Sequence, residues 1–102
     1  MIRKILMTFG VLMLLASPAF AATKYARAAG GNWSADATWS TSSGGGADTT
    51  KCVAADACIL DSASGNVTVD AASAAGSLNC TGYTGTLTLG ANLTVSGSIT
   101  LV

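Results

Sequence analysis

The chain has 102 residues, half of them hydrophobic by type but only 10% charged and 6% aromatic, with a formal net charge of zero. That length allows at most one small domain, and a composition rich in alanine and glycine gives so short a chain too little bulky core to stand unaided. The absence of any basic patch excludes a nucleic-acid partner held through phosphates, and the absence of His and Glu excludes histidine acid–base chemistry, a Ser-His-Asp triad and a Cys-His pair.

Residues 1–21 have the layout of a helical secretory signal peptide. Arg3 and Lys4 form the positive start, "ILMTFGVLMLLA" is an apolar run of 12 residues, and Ala19 and Ala21 flank Phe20 in an A-x-A cleavage pattern. The run is shorter than the roughly 20 residues a transmembrane helix needs. No cysteine stands at the cleavage point to carry a lipid. Cleavage after Ala21 predicts an exported chain from Ala22 to Val102, secreted or at the cell surface, with no stable membrane span. That mature part keeps Lys24, Arg27 and Lys51 against five aspartates, a formal balance of −2.

Residues 22–51 read as an N-terminal capping segment and loop. Both tryptophans lie in "GGNWSADATWS", at Trp33 and Trp39, and "TSSGGGADTTK" over 41–51 reads as a flexible linker or an excursion loop. Cys52, Cys58 and Cys80 are an odd number for an exported chain. Cys52 and Cys58 bracket "VAADA" and are candidates for a disulfide, with small buried hydrophobes as the other reading of Cys58 and Cys80. Zinc is not expected without His or paired C-x-x-C spacing.

Residues 52–102 carry short β-type segments separated by Gly, Asn, Asp and Ser turns. "CIL" at 58–60, "LNC" at 78–80 and "ITL" at 99–101 recur about 20 residues apart, as do "VTV" at 67–69 and "LTL" at 87–89, and "SAA" at 73–75 and "LTV" at 93–95. At ~3.3 Å per residue each segment spans only ~10 Å, short enough for one side of a triangular coil. Period two turns Val67, Val69, Leu78, Cys80, Leu87 and Leu89 to one side and Thr68, Asn79, Thr88, Thr94 and Thr100 to the other. Ile59 breaks the pattern by facing outward. The predicted fold is all-β, the start of a short parallel β-helix (solenoid) with an N-terminal cap. An antiparallel sandwich or meander competes, but it calls for longer strands and diagnostic hairpin turns.

The "GGNWSADATWS" element, the acidic loop and the run "CILDSASGNVTVDAASAAGSLNCTGYTGTLTLGANLTVSGSITL" together resemble the start of secreted right-handed β-helix proteins of bacteria and phages, such as autotransporter passengers and surface adhesins. The resemblance implies that residues 30–50 cap the open end of the coil stack, with Trp33 and Trp39 covering its apolar ladder. Such proteins commonly continue for many coils, so the chain is expected to be a fragment of a larger protein.

Catalytic candidates are few. Asp61 and Asp70 could pair for glycosidic cleavage, and Asp56, Asp61 or Asp70 could hold calcium, but turn capping explains them more simply. Trp33, Trp39, Tyr25 and Tyr83 could stack on sugars. The expected role is therefore an exported structural or adhesive module, not an enzyme and without a cofactor or metal, that displays Thr, Ser and Asn. Its expected partners are a surface glycan or further copies bound through the open C-terminal coil. The alternatives are an N-terminal fragment of a polysaccharide lyase-like β-helix enzyme, with its active site elsewhere, and a small secreted sandwich that oligomerises.

Overall fold

A computed structural model describes residues 21–102, so the expected signal helix lies, apart from Ala21, outside the described residues. The described part is all-β. Its strands are β1 (Thr23–Ala26), β2 (Gly31–Asn32), β3 (Trp39–Ser40), β4 (Ala57–Ile59), β5 (Val67–Val69), β6 (Ser73–Ala75), β7 (Ser77–Asn79), β8 (Leu87–Leu89), β9 (Leu93–Val95) and β10 (Ile99–Thr100), with a 3₁₀ turn over Asp36–Thr38.

Strand pairing groups them into three sheets: β3-β1-β4-β7-β10, β2-β5-β8 and β6-β9. From β4 onward the chain visits the sheets in rotation and returns to each after one pass. Cys58 pairs with Leu78, Val67 with Leu87 and Ser73 with Leu93, each 20 residues on, and Leu78 with Ile99 after 21. All of these pairs are parallel; β1 and β3 alone pair antiparallel among the described strands. A sandwich or meander would pair chain neighbours antiparallel instead.

Alternation places the apolar side chains between the sheets. Cys58, Leu60, Val67 and Val69 are 0% exposed. Exposure then climbs along each row, from Cys58 at 0% through Leu78 at 4% to Ile99 at 55%, and from Val69 at 0% to Leu89 at 64%. Among the described residues, no strand pairs beyond β8, β9 and β10.

Three features differ from the sequence reading. First, the ladders begin before residue 52. β1, inside the segment expected to cap, runs parallel to β4 with Lys24 opposite Cys58, and β2 runs parallel to β5. A lysine in an inward position hides the strand's alternation from a hydrophobicity reading. Second, the strands expected at 58–60 and 78–80 are Ala57–Ile59 and Ser77–Asn79, one residue earlier, with the side-chain alternation unchanged. Leu60 and Cys80 still point inward because each continues the same backbone direction. Third, of the two readings of 41–51, the anchored excursion loop holds and the flexible linker does not. The Gly45 N–H donates to the Ser42 carbonyl, the Asp48 N–H to the Trp39 carbonyl, and the Lys51 N–H to Asp36 Oδ1.

Turns between strands pack backbone on backbone. A Cβ at Gly65 would lie 2.3 Å from the Ala28 carbonyl oxygen, and one at Gly30 would lie 2.1 Å from that of Asn66. Gly30 also has a φ of +63°, which a side chain would strain. These glycines let consecutive passes approach at strand spacing.

Candidate functional site

The first strands end in a buried aromatic pair. Trp33 follows β2 and Trp39 opens β3, and the two rings meet edge to face at 4.7 Å between centroids and 71° between planes. Both are 0% exposed, so neither face is open to a sugar ring. Each indole N–H is satisfied: Trp39 donates to the Trp33 carbonyl at 2.9 Å, and Trp33 to the Cys52 carbonyl at 3.2 Å.

Cys52 and Cys58 form a disulfide, with their Cα atoms 5.9 Å apart. The bridge ties the carbonyl that accepts the Trp33 indole to β4. Inside the loop it closes, the buried Asp56 side chain accepts from the Val53 N–H at 3.1 Å, and the Asp56 carbonyl accepts from the Gly76 N–H at 2.7 Å. Cys80 is a free, buried thiol, and burial pushes its pKa up, so it stays protonated.

A part-buried ion pair went unseen in the sequence. Lys24 is 6% exposed, and its ammonium donates to Asp48 Oδ2 and, at 2.7 Å, to Thr50 Oγ1. The Lys24 hydrogen bond, assisted by the Thr49 N–H, holds the Asp48 carboxyl below its ordinary range. The pair folds the 41–51 loop back over β1. No local pattern announces it, because the partners stand 24 positions apart.

The two aspartates considered for catalysis are anchors between passes. Asp61 accepts from Ser43 Oγ at 2.6 Å and from the Ala63 N–H at 3.0 Å; Asp70 accepts from Ser34 through its N–H at 3.1 Å and its Oγ at 2.5 Å. The Ser43 bond at Asp61 and the Ser34 bonds at Asp70 lower both carboxyls from the usual value. A general acid needs the opposite shift. No group of three His, Cys, Asp or Glu side chains that could hold a metal occurs among the described residues. Arg27 spends its guanidinium on the carbonyls of Ala37 and Gly45. The Tyr83 hydroxyl donates to the Gly65 carbonyl at 2.8 Å, while Tyr25 faces outward beside Ile59.

Two surfaces remain after these assignments. Outward positions align into polar rows, Asn32 beside Thr68 beside Thr88, and Asn79 beside Thr100. At the end remote from the tryptophans, Leu78, Leu87, Leu93, Val95 and Ile99 line an apolar hollow of about 390 Å³, and Leu101 is 72% exposed. Comparison with protein-family models, curated proteins and solved structures finds no match to this chain.

Proposed function

We propose that the chain forms the capped first coils of an exported parallel β-helix and works as a structural or adhesive module, displaying its outward polar rows to a surface glycan. The observation that carries this reading is the in-register row of Asn32, Thr68 and Thr88. Rows of hydroxyl and amide groups at the ~4.8 Å strand spacing match the repeating donors and acceptors of an extended polysaccharide. Export is supported by the Cys52–Cys58 bridge, which persists in oxidising compartments, and by the signal-like order of residues 1–21.

Two measurements test the two parts separately. On expression in a bacterium with a secretory pathway, the exported protein should begin at Ala22 and lack the thiol hydrogens of Cys52 and Cys58 by intact mass. A full-length cytosolic product with three free thiols would end the export reading. For binding, the mature chain should be retained on immobilised bacterial surface polysaccharides, and Thr68→Val with Thr88→Val should weaken retention at least fivefold. Retention unchanged by the paired substitution, or absent across the panel, would remove the polar row from the mechanism.

A further inference from the structure

We infer that the α-amino group freed at Ala22 by removal of the leader docks in a polar hollow beside β1 as the counter-charge of the buried Asp56 carboxylate, the position of the cut resting on the export reading. Hydrolysis of the Ala21–Ala22 bond by a signal peptidase consumes one water and leaves a carboxylate on Ala21 and an ammonium on Ala22.

The hollow has a volume of about 350 Å³ and is lined by Ala22, Lys24, Asp36, Thr50, Lys51 and Asp56. Asp56 is 4% exposed, and its Oδ2 accepts from the Val53 N–H at 3.1 Å. Among the described residues no donor reaches its Oδ1, and no cation forms an ion pair with it. A carboxylate that deep is costly without an opposite charge. The cations of the hollow do not supply one. Lys24 is committed to Asp48 and Thr50, and Lys51 forms no ion pair among the described residues. Asp36, the other carboxylate of the hollow, accepts from the Lys51 N–H.

Strand register puts the new terminus at that carboxylate. Thr23 pairs with Ala57 in the parallel β1–β4 ladder, so Ala22 stands opposite Asp56, and the Ala57 N–H donates to the Ala22 carbonyl at 2.9 Å. Lys24, Asp56 and Cys58 are all buried, so alternation turns Ala22 and Asp56 to the same inner side. Neighbouring strands run ~4.8 Å apart, which sets an ammonium at the head of β1 about one strand spacing from Asp56. The cut removes little. The Ala21 N–H donates to the Ala55 carbonyl at 3.0 Å, but Ala55 is exposed and water replaces that donor. In the uncut chain the nitrogen of Ala22 is a neutral amide and offers Asp56 no charge.

Intact mass of the exported protein gives the cut. A start other than Ala22 would overturn both the cut and the docking that rests on it; a start at Ala22 with an ordinary α-amino group would overturn the docking alone. The Ala22 methyl resonance reports titration of the ammonium. Its pKa in the folded protein should lie at least one unit above that in urea, the proton being held at least tenfold more tightly, and Asp56→Asn should remove the shift. With the folded value raised, the stabilisation is full below the ordinary α-amino range of about 7.7–8.0 and is lost as pH rises through the folded value. A glycine inserted between Ala21 and Ala22 moves the ammonium ~3.3 Å outward. It should lower the melting temperature at pH 7 by about 4 °C or more and have no effect above about pH 10. That insertion alters no buried side chain, so it decides the matter even where Asp56→Asn misfolds. Equal pKa values in folded and unfolded protein, a shift that survives in a native-like Asp56→Asn protein, or equal melting temperatures of the two chains at pH 7 would each overturn the inference.

Discussion

At the scale of single residues, the polar groups of this chain are committed to holding passes together. Lys24, Asp48, Asp61 and Asp70 each bridge segments distant in sequence, and the three carboxyls are all depressed by the donors they accept from. A carboxyl depressed on folding stabilises the protein above its unfolded pKa, and that stabilisation is lost as pH falls through the folded value. Thermal unfolding should therefore be insensitive to these groups above about pH 5 and should drop to lower temperature below about pH 4. Asp70→Asn should make that acid drop shallower, as read from melting temperatures across the range. An acid limb identical in the variant would show that the Ser34 bonds contribute nothing. Asp61, which accepts from the Ala63 N–H, was recognisable in the sequence as a turn aspartate; Asp70, read the same way, instead accepts from Ser34, 36 residues earlier. Lys24 was not recognisable, because a lone lysine in "TKYA" reads as exposed until Asp48 is brought beside it.

At the scale of elements, each strand is too short to persist alone. Strands of two to four residues gain definition from register with the pass before and after and from the turns that fix their ends. "VTV", "LTL", "SAA" and "LTV" were readable to the residue, since turn residues bracket a clean alternation. β1, β2 and β3 were not, because they carry Lys24, a glycine and a tryptophan rather than repeated aliphatics. The Cys52–Cys58 bridge stabilises the junction between these two kinds of strand. By chain-entropy reasoning a loop this short is worth about 2 kcal/mol. Cys52→Ser with Cys58→Ser should thus lower the melting temperature on the order of 10 °C, given the sensitivity of small domains. A melting temperature equal to that of the oxidised parent would mean the loop is held by the Asp56 contacts alone.

At the scale of the whole molecule, stability runs as a gradient. The end near Trp33 and Trp39 has buried aromatics, an ion pair and a disulfide; near Ile99 the aliphatics are exposed and the strand edges have no partner among the described residues. In a stack where each pass touches only its neighbours, opening starts where a neighbour is missing. In this chain the amides of β4 and β5 should exchange at least tenfold more slowly than those of β9 and β10. Uniform protection from β4 to β10 would show a single cooperative unit instead.

Local chemistry written along the chain determined the period of about 20 residues, the inward and outward sets of side chains and the turns, because alternation and turn residues act within a few positions. The tertiary structure decided that all strand pairs but β1–β3 run parallel, that the parallel pairing begins with β1, and that the 41–51 loop is pinned over Lys24. It also decided which aliphatic positions are covered and which are left open. Those outcomes depend on partners 18 to 36 residues away, and hydrogen bonds and ion pairs over such separations leave no local mark for a sequence to show.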